Sequence, residues 1–293
     1  MSKTAGKVRS REEDISFLET YNIETGERKV IKRYDYLIEA PNWTGDGKYL
    51  IYNSLGKIYK YDLETGEDIE IPSDYVTHCN NDHVLSPDGS KIAISHGAKE
   101  DGKSRIYIMP IEGGIPQLIT AVGPSYLHGW SIDGKTLAYA ASRDGIWNIH
   151  TIPVTGGVEK PITDGDWLDD GCEYDPNGKY IWFNSVRTGL MQAWRMNTDG
   201  TDPTQMTFDE NWNTWFPHIS PDSEKVVMIC YKKGDLLPHE HVAHKNVEIR
   251  LMTSQGEEVK TLVELFGGQG SINVNSWSPC SKCFAFVSYQ LPD

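Results

Sequence analysis

Six segments of the chain share one pattern, and their spacing constrains the fold more than any other feature. TGDGKYLIYNS begins at Thr44, SPDGSKIAISH at Ser86, SIDGKTLAYAA at Ser131, DPNGKYIWFNS at Asp175, SPDSEKVVMIC at Ser220 and SPCSKCFAFVS at Ser278. Each is a turn followed by a strand-like run. The starts lie 42, 45, 44, 45 and 58 residues apart. A period of about 45 residues marks a chain built from stacked supersecondary units rather than one irregular core.

A second element lies between the turns. KIYKYDLETGE (57–67), RIYIMPIEGG (105–114), WNIHTIPVTGG (147–157), QAWRMNTDGT (192–201) and EIRLMTSQGE (248–257) each run from a strand into a glycine turn and a further strand. A unit therefore holds four short strands, here called A to D, and no segment sustains a 3.6-residue period. This predicts an all-β, six-bladed β-propeller with four-stranded antiparallel blades. The last repeat stops after strand B, whereas residues 15–33 carry the strand–TGE–strand pattern that it lacks. The N-terminal strands are thus expected to complete the C-terminal blade and close the ring, leaving no free edge there. The whole chain, 1–293, is expected to be one domain, with 1–14 a flexible tail and 232–246 an insertion in blade five.

The S-P-D-G-x-K turns, preceded in places by Trp43, Trp130 and Trp277, and the S-R-D-G hairpin at Ser142–Gly145 resemble the TolB-like propeller family. The resemblance covers nearly the full length. It implies the six-bladed fold, but it is weak for function: similar propellers occur in binding proteins, in peptidase gating domains and in oligogalacturonate lyases. No G-x-S-x-G nucleophile elbow is present, and neither a separate TolB-type N-terminal domain nor a hydrolase domain is expected.

The formal net charge is -14, which argues against a nucleic-acid or anionic-membrane partner, since either would need a basic face. No stretch has the ~18–20 apolar residues of a membrane helix, so no membrane insertion is expected. The start MSKTAGKVRSREED has no apolar h-region, so the chain as given is expected to be cytoplasmic, or periplasmic if a signal has been removed. The five cysteines are an odd, scattered set and suggest reduced thiols rather than a disulfide framework.

Chemistry is expected at one end of the central channel. D–A and B–C connections emerge on one face of a propeller, and on the other face the stereotyped turns are spent on turn geometry. Strand A lines the channel. Five positions before each turn stand Glu39, Asn81, Tyr126, Asp170, Trp215 and Asn273, and three before stand Pro41, His83, His128, Cys172, Pro217 and Asn275. Glu173 and His218 stand two before. The ligand-binding candidates are therefore His83, Asn81, Tyr126, His128, Asp170, Glu173, Trp215, His218, Asn273 and Asn275, with Arg143 and Arg187 in B–C hairpins as candidate carboxylate clamps. Trp212 and Gln269 join as a further stacking face and amide.

The long gap falls in blade five and contains PHEHVAHK, 238–245. It is a B–C loop and should overhang the same mouth. His239, His241 and His244 have the spacing of a candidate site for Zn, Mn or Fe. Two functional readings follow. One is binding of a polar small molecule, foremost a carbohydrate, without turnover. The other is metal-assisted elimination from an acidic oligosaccharide of the oligogalacturonate-lyase type, with His218 or His128 as the base. A protein–protein scaffold is the third.

Overall fold

The computed structural model describes residues 11–292. Six sheets stand around a channel. Five are four-stranded and ordered A-B-C-D in sequence. Blade one comprises Glu39–Trp43, Tyr49–Ser54, Lys57–Asp62 and Asp68–Ile71. Blade five comprises Trp212–Ile219, Lys225–Lys232, Lys245–Thr253 and Lys260–Gly267. The sixth blade is shared between the termini: Cys283–Gln290 pairs antiparallel with Ile15–Asn22, in register from Ile15↔Gln290 to Asn22↔Cys283, and Arg28–Tyr34 pairs outside it. Its strand A survives only as the bridge Trp277↔Phe284. No helix of the described residues is long and apolar enough to cross a membrane.

The turn sequence explains its own recurrence. The first residue's hydroxyl donates to the carboxylate two positions on: Thr44 to Asp46 (2.6 Å), Ser86 to Asp88 (2.6 Å), Ser131 to Asp133 (2.7 Å) and Ser220 to Asp222 (2.6 Å). That carboxylate also accepts a backbone N–H two residues further, as from Lys48 and Ser90. The fourth position has a left-handed backbone, which is why glycine stands there. Ser223 and Ser281 take the same conformation, both at φ 60°.

Two of the three tryptophans before the turns lock neighbouring blades, while Trp43 donates to the Gly47 carbonyl of its own turn. Trp130 donates its indole N–H to the Val84 carbonyl of blade two (3.0 Å), and Trp277 to the His218 carbonyl of blade five (3.0 Å). Between blades five and six, Trp215, Phe216, Ile229, Tyr231, Trp277, Phe284 and Phe286 form one buried cluster. Full burial of an aromatic or aliphatic side chain of this kind stabilises by roughly 1.5–3 kcal/mol.

Two boundaries differ from the expectation. Residues 1–10 of the expected tail lie outside the described residues, but 11–14 are packed down: a 3-10 turn spans Arg11–Glu13, Asp14 is fully buried, and Arg11 Nη1 donates to Glu39 Oε1 at 2.8 Å. An ion pair to the channel strand fixes a segment whose polarity alone suggested a loose end. The insertion is also slightly shorter than 232–246, because Lys232 ends strand B and Lys245 begins strand C.

Candidate functional site

Every described strand A is bulged where it faces the channel. Register shifts fall between Glu39 and Asn42, Cys79 and His83, Leu127 and Gly129, Asp170 and Glu173, and Trp215 and His218. A bulge places extra residues on one strand and re-aims the side chains beyond it. Three of these positions carry left-handed backbone: Ala40 (φ 52°), Gly171 (φ 61°) and Phe216 (φ 52°). The bulges differ between blades, so residues at equal distance from the turn do not point alike.

The consequence is two separate clusters along the channel. At the end formed by the D–A and B–C connections lies a cavity of about 860 Å³, lined among others by Asn81, Asp82, Tyr126, His128, Trp147 and Asp170. His239 and His241 of the insertion, together with Gln269 and Asn273, close one side of it. The turn face opens into a second cavity of about 690 Å³, with Glu173, Asn275 and Trp277 in its wall. His128 borders both and marks the waist of the channel.

Asp170 is the hinge of the first cluster. Its Oδ1 lies 2.9 Å from His128 Nε2, and its Oδ2 3.9 Å from His241 Nε2. Its own turn is held by Gly171 N–H, which donates to Oδ1 at 2.7 Å. Burial alone would push the Asp170 carboxyl up, but His128, by charge and hydrogen bond, together with His241 holds it below the usual carboxylate value. Burial likewise opposes the charged form of His128, yet Asp170, Asp82 and Glu173 together raise its pKa. His241 goes the other way: burial dominates and lowers its pKa. Asp82 is pushed up to about 6, by burial first, relieved in part by His128 and reinforced by Asp170. Tyr126 and Trp147 stack beside these groups with ring centroids 5.7 Å apart.

The expected site residues divide as follows. Asn81, Tyr126, His128, Asp170, Asn273, His239 and His241 line the larger cavity. Glu173, His218 and Asn275 form a separate internal network toward the turn face. His218 Nδ1 faces Glu173 Oε2 at 2.7 Å and its Nε2 faces the Ile272 carbonyl at 3.0 Å, while Asn275 Nδ2 donates to Glu173 Oε1 at 2.5 Å. With the Glu173 carboxylate and the Ile272 carbonyl against its two ring nitrogens, His218 is engaged inside this network and borders neither cavity. The expectation of His218 as a base at the larger cavity is corrected accordingly.

Four further expectations are corrected. His83 is wholly buried, with neither ring nitrogen partnered, and borders neither cavity; burial drives its pKa down to about 3. Trp215 is also wholly buried and supports His241 from behind at 4.3 Å between ring centroids, so its face is not open to a ligand. Trp212 is covered by the Arg250 guanidinium, 4.4 Å from its ring centroid. Arg143 is taken up by Glu159 (2.6 Å) and the Pro124 carbonyl, and Arg187 by Asp169 (3.0 Å) and the ring of Trp194. Both arginines brace their hairpins and neither reaches the cavity.

The three insertion histidines do not converge. His241 turns to Asp170, whereas His244 Nε2 lies 2.6 Å from Asp14 Oδ2 and stacks on Phe266. Among the described residues no group of three or more His, Cys, Asp or Glu side chains is placed to hold a metal ion. Sequence reasoning missed Asp82, Asn80, Trp147 and Trp167. Asp82 lies inside the entry segment NNDHV, one residue from two that were selected, and only the three-residue bulge there turns it inward. Trp147 stands two residues past Gly145 of the S-R-D-G hairpin, on strand C, outside the strand A, hairpin-arginine and insertion positions from which candidates were drawn.

Fold and channel together define a six-bladed propeller with a ligand-sized cavity at its variable face. The model of the TolB beta propeller domain matches residues 128–290. An uncharacterized protein of Agrobacterium fabrum is 44% identical over 94% of this chain and 92% of its own length. A solved structure from Agrobacterium tumefaciens, provisionally described as TolB, superposes with a TM-score of 0.90 at 42% identity, over 96% of this chain and 99% of that one. An oligogalacturonate lyase in complex with manganese shares the fold alone: TM-score 0.56, 12% identity, 97% and 99% of the two chains. The chain belongs to the TolB beta-propeller family.

Proposed function

We propose that the chain is a binding protein for a polar small molecule, carbohydrate in class, taken up in the cavity bounded by His128, Asp170 and the blade-five insertion. The observation that carries this is the pairing in one cavity of an aromatic platform, Tyr126 and Trp147, with the polar side chains of Asn81, Asp82, Asp170 and Asn273. A sugar ring presents an apolar face for stacking and hydroxyls around its rim, and this lining matches both. A volume of about 860 Å³ falls within the ~300–1,000 Å³ typical of small-molecule sites.

Elimination from a uronate is less well supported. That reaction needs a cation to stabilise the enolate-like charge, and no Lys or Arg lines the cavity among the described residues. His128 remains the one imidazole whose position would suit a proton transfer, but it is already engaged with Asp170.

A thermal-shift screen of neutral, amino and acidic oligosaccharides against the protein and its Trp147→Ala variant tests the reading. Stabilisation by a saccharide, lost in the variant, supports it. Stabilisation by none of them, together with a protein partner that co-purifies, would replace it with a scaffold role.

A further inference from the structure

The cavity has more negative than positive charge built into it. Asp82, Asp166 and Asp170 line it, with no Lys or Arg among its described lining residues. Of its imidazoles, His128 is pushed toward the charged form and His241 away from it. Asp170 is matched by His128 at 2.9 Å. Asp82 has no ion pair of its own among the described residues: it is 95% buried, the neutral amide of Asn80 donates to its Oδ2 at 2.6 Å, and His128 acts on it only through space. His128, Asp170, Glu39 and Tyr126 also face it; His128 is the one source of positive charge among them, and it is already paired with Asp170. Asp82 lines the cavity, so it borders whatever fills it.

Asp82 and Asp170 share the one imidazole of His128, and the negative charge left over is costly where low-dielectric protein replaces water. A cationic ligand or a proton would match it. The neighbouring surface indicates what kind of cation fits. Trp147 and Tyr126 present a stacked aromatic pair, and a ring face attracts an organic ammonium within about 6 Å of its centroid. The described residues place no group of three ligating side chains for a metal ion.

We infer that the ligand carries a protonated amine, as an amino sugar does, and that the amine seats against Asp82 beside the Tyr126–Trp147 pair. This rests on the carbohydrate-binding reading above and narrows it. The ammonium supplies donors to Asp82 while the sugar ring covers the indole of Trp147. Asp166 at the cavity rim adds long-range attraction and sets no geometry.

The test is isothermal titration of the full chain at pH 7.5 with three matched trisaccharides: glucosamine, its N-acetylated form and galacturonate. The amine form should bind at least ten-fold tighter than either of the others, and Asp82→Asn should remove most of that preference while leaving the melting temperature within a few degrees. Lowering the pH from 7.5 to 5 should weaken amine binding several-fold, since Asp82 takes up a proton in that interval. Equal or tighter binding of the N-acetylated form would overturn the amine inference and leave the carbohydrate reading standing. Tighter binding of galacturonate, or an unaltered preference in Asp82→Asn, would also overturn it. Tight binding of manganese or zinc alone, lost in Asp82→Asn, would reassign the carboxylate to a metal. Binding of none of the three saccharides would remove both readings.

Discussion

His241 of the blade-five insertion packs on Trp215 of the channel wall, ring centroids 4.3 Å apart, with its Nδ1 buried and unpartnered. An insertion seated this way is part of the cavity wall rather than a loose flap. Two further contacts hold it: Tyr231 donates its hydroxyl to the Val242 carbonyl at 3.0 Å, and Gln269 N–H donates to the same carbonyl at 3.1 Å. Truncating 236–243 to a short hairpin should therefore abolish ligand binding and lower the melting temperature by several degrees. Calorimetric scans of the truncated chain check this.

Asp170→Asn should reverse the behaviour of His128. With the carboxylate in place the imidazole pKa is raised against the opposing effect of burial. Without it burial prevails, and His128 should titrate below its usual value of about 6.5. Histidine ring signals followed by NMR across pH 5 to 8 would show His128 charging at lower pH in the variant.

His83 gives a stability prediction with a definite sign. Its folded-state pKa is about 3, well below the unfolded value, so the unfolded chain binds the extra proton. Stability is then unaffected above about pH 6.5 and falls as pH drops from there toward 3. By pH 5 this one group costs roughly 2 kcal/mol. His83→Leu, in a site where other blades carry Pro41, Cys172 and Pro217, should flatten the decline in denaturation midpoint between pH 6.5 and 5.

Gly171 is required by its neighbours as much as by its backbone. At φ 61° an added Cβ would meet Asn184 Oδ1 at 2.3 Å and Phe216 Cδ1 at 2.9 Å. Asn184 in turn accepts the Phe216 N–H at 3.0 Å. Gly171→Ala should cost on the order of 1–3 kcal/mol and weaken ligand binding, because Asp170 is the adjacent residue. Chemical denaturation measures the first and titration the second.

The architecture was legible because a repeat states its own period and its turns state their geometry: Ser86, Asp88 and Gly89 each have one job, and the same job recurs in the other blades. The closing of the ring was legible for the same reason, from the T-G-E turn that Ile15–Asn22 leads into. The site was less so. Counting from the turns assumes a strict alternation of faces, and each bulge breaks it. His83 and His128 hold equivalent positions in sequence, yet one is sealed in the core and the other stands in the channel. Partner choice was also invisible: nothing local to Arg143 or Arg187 announces Glu159 or Asp169 as a counter-ion, and nothing in H-x-H-x-x-H sends His244 to Asp14, 230 residues away.

The most direct measurement of the central claim is the ring chemical shifts of all nine histidines, followed while the tightest-binding saccharide is added. The account predicts large, saturable shifts at His128 and His241, which share Asp170, a smaller one at His239, and none at His150 or His244. Shifts confined to His244 or His150, with His128 and His241 unmoved at saturation, would place the ligand elsewhere and contradict the site.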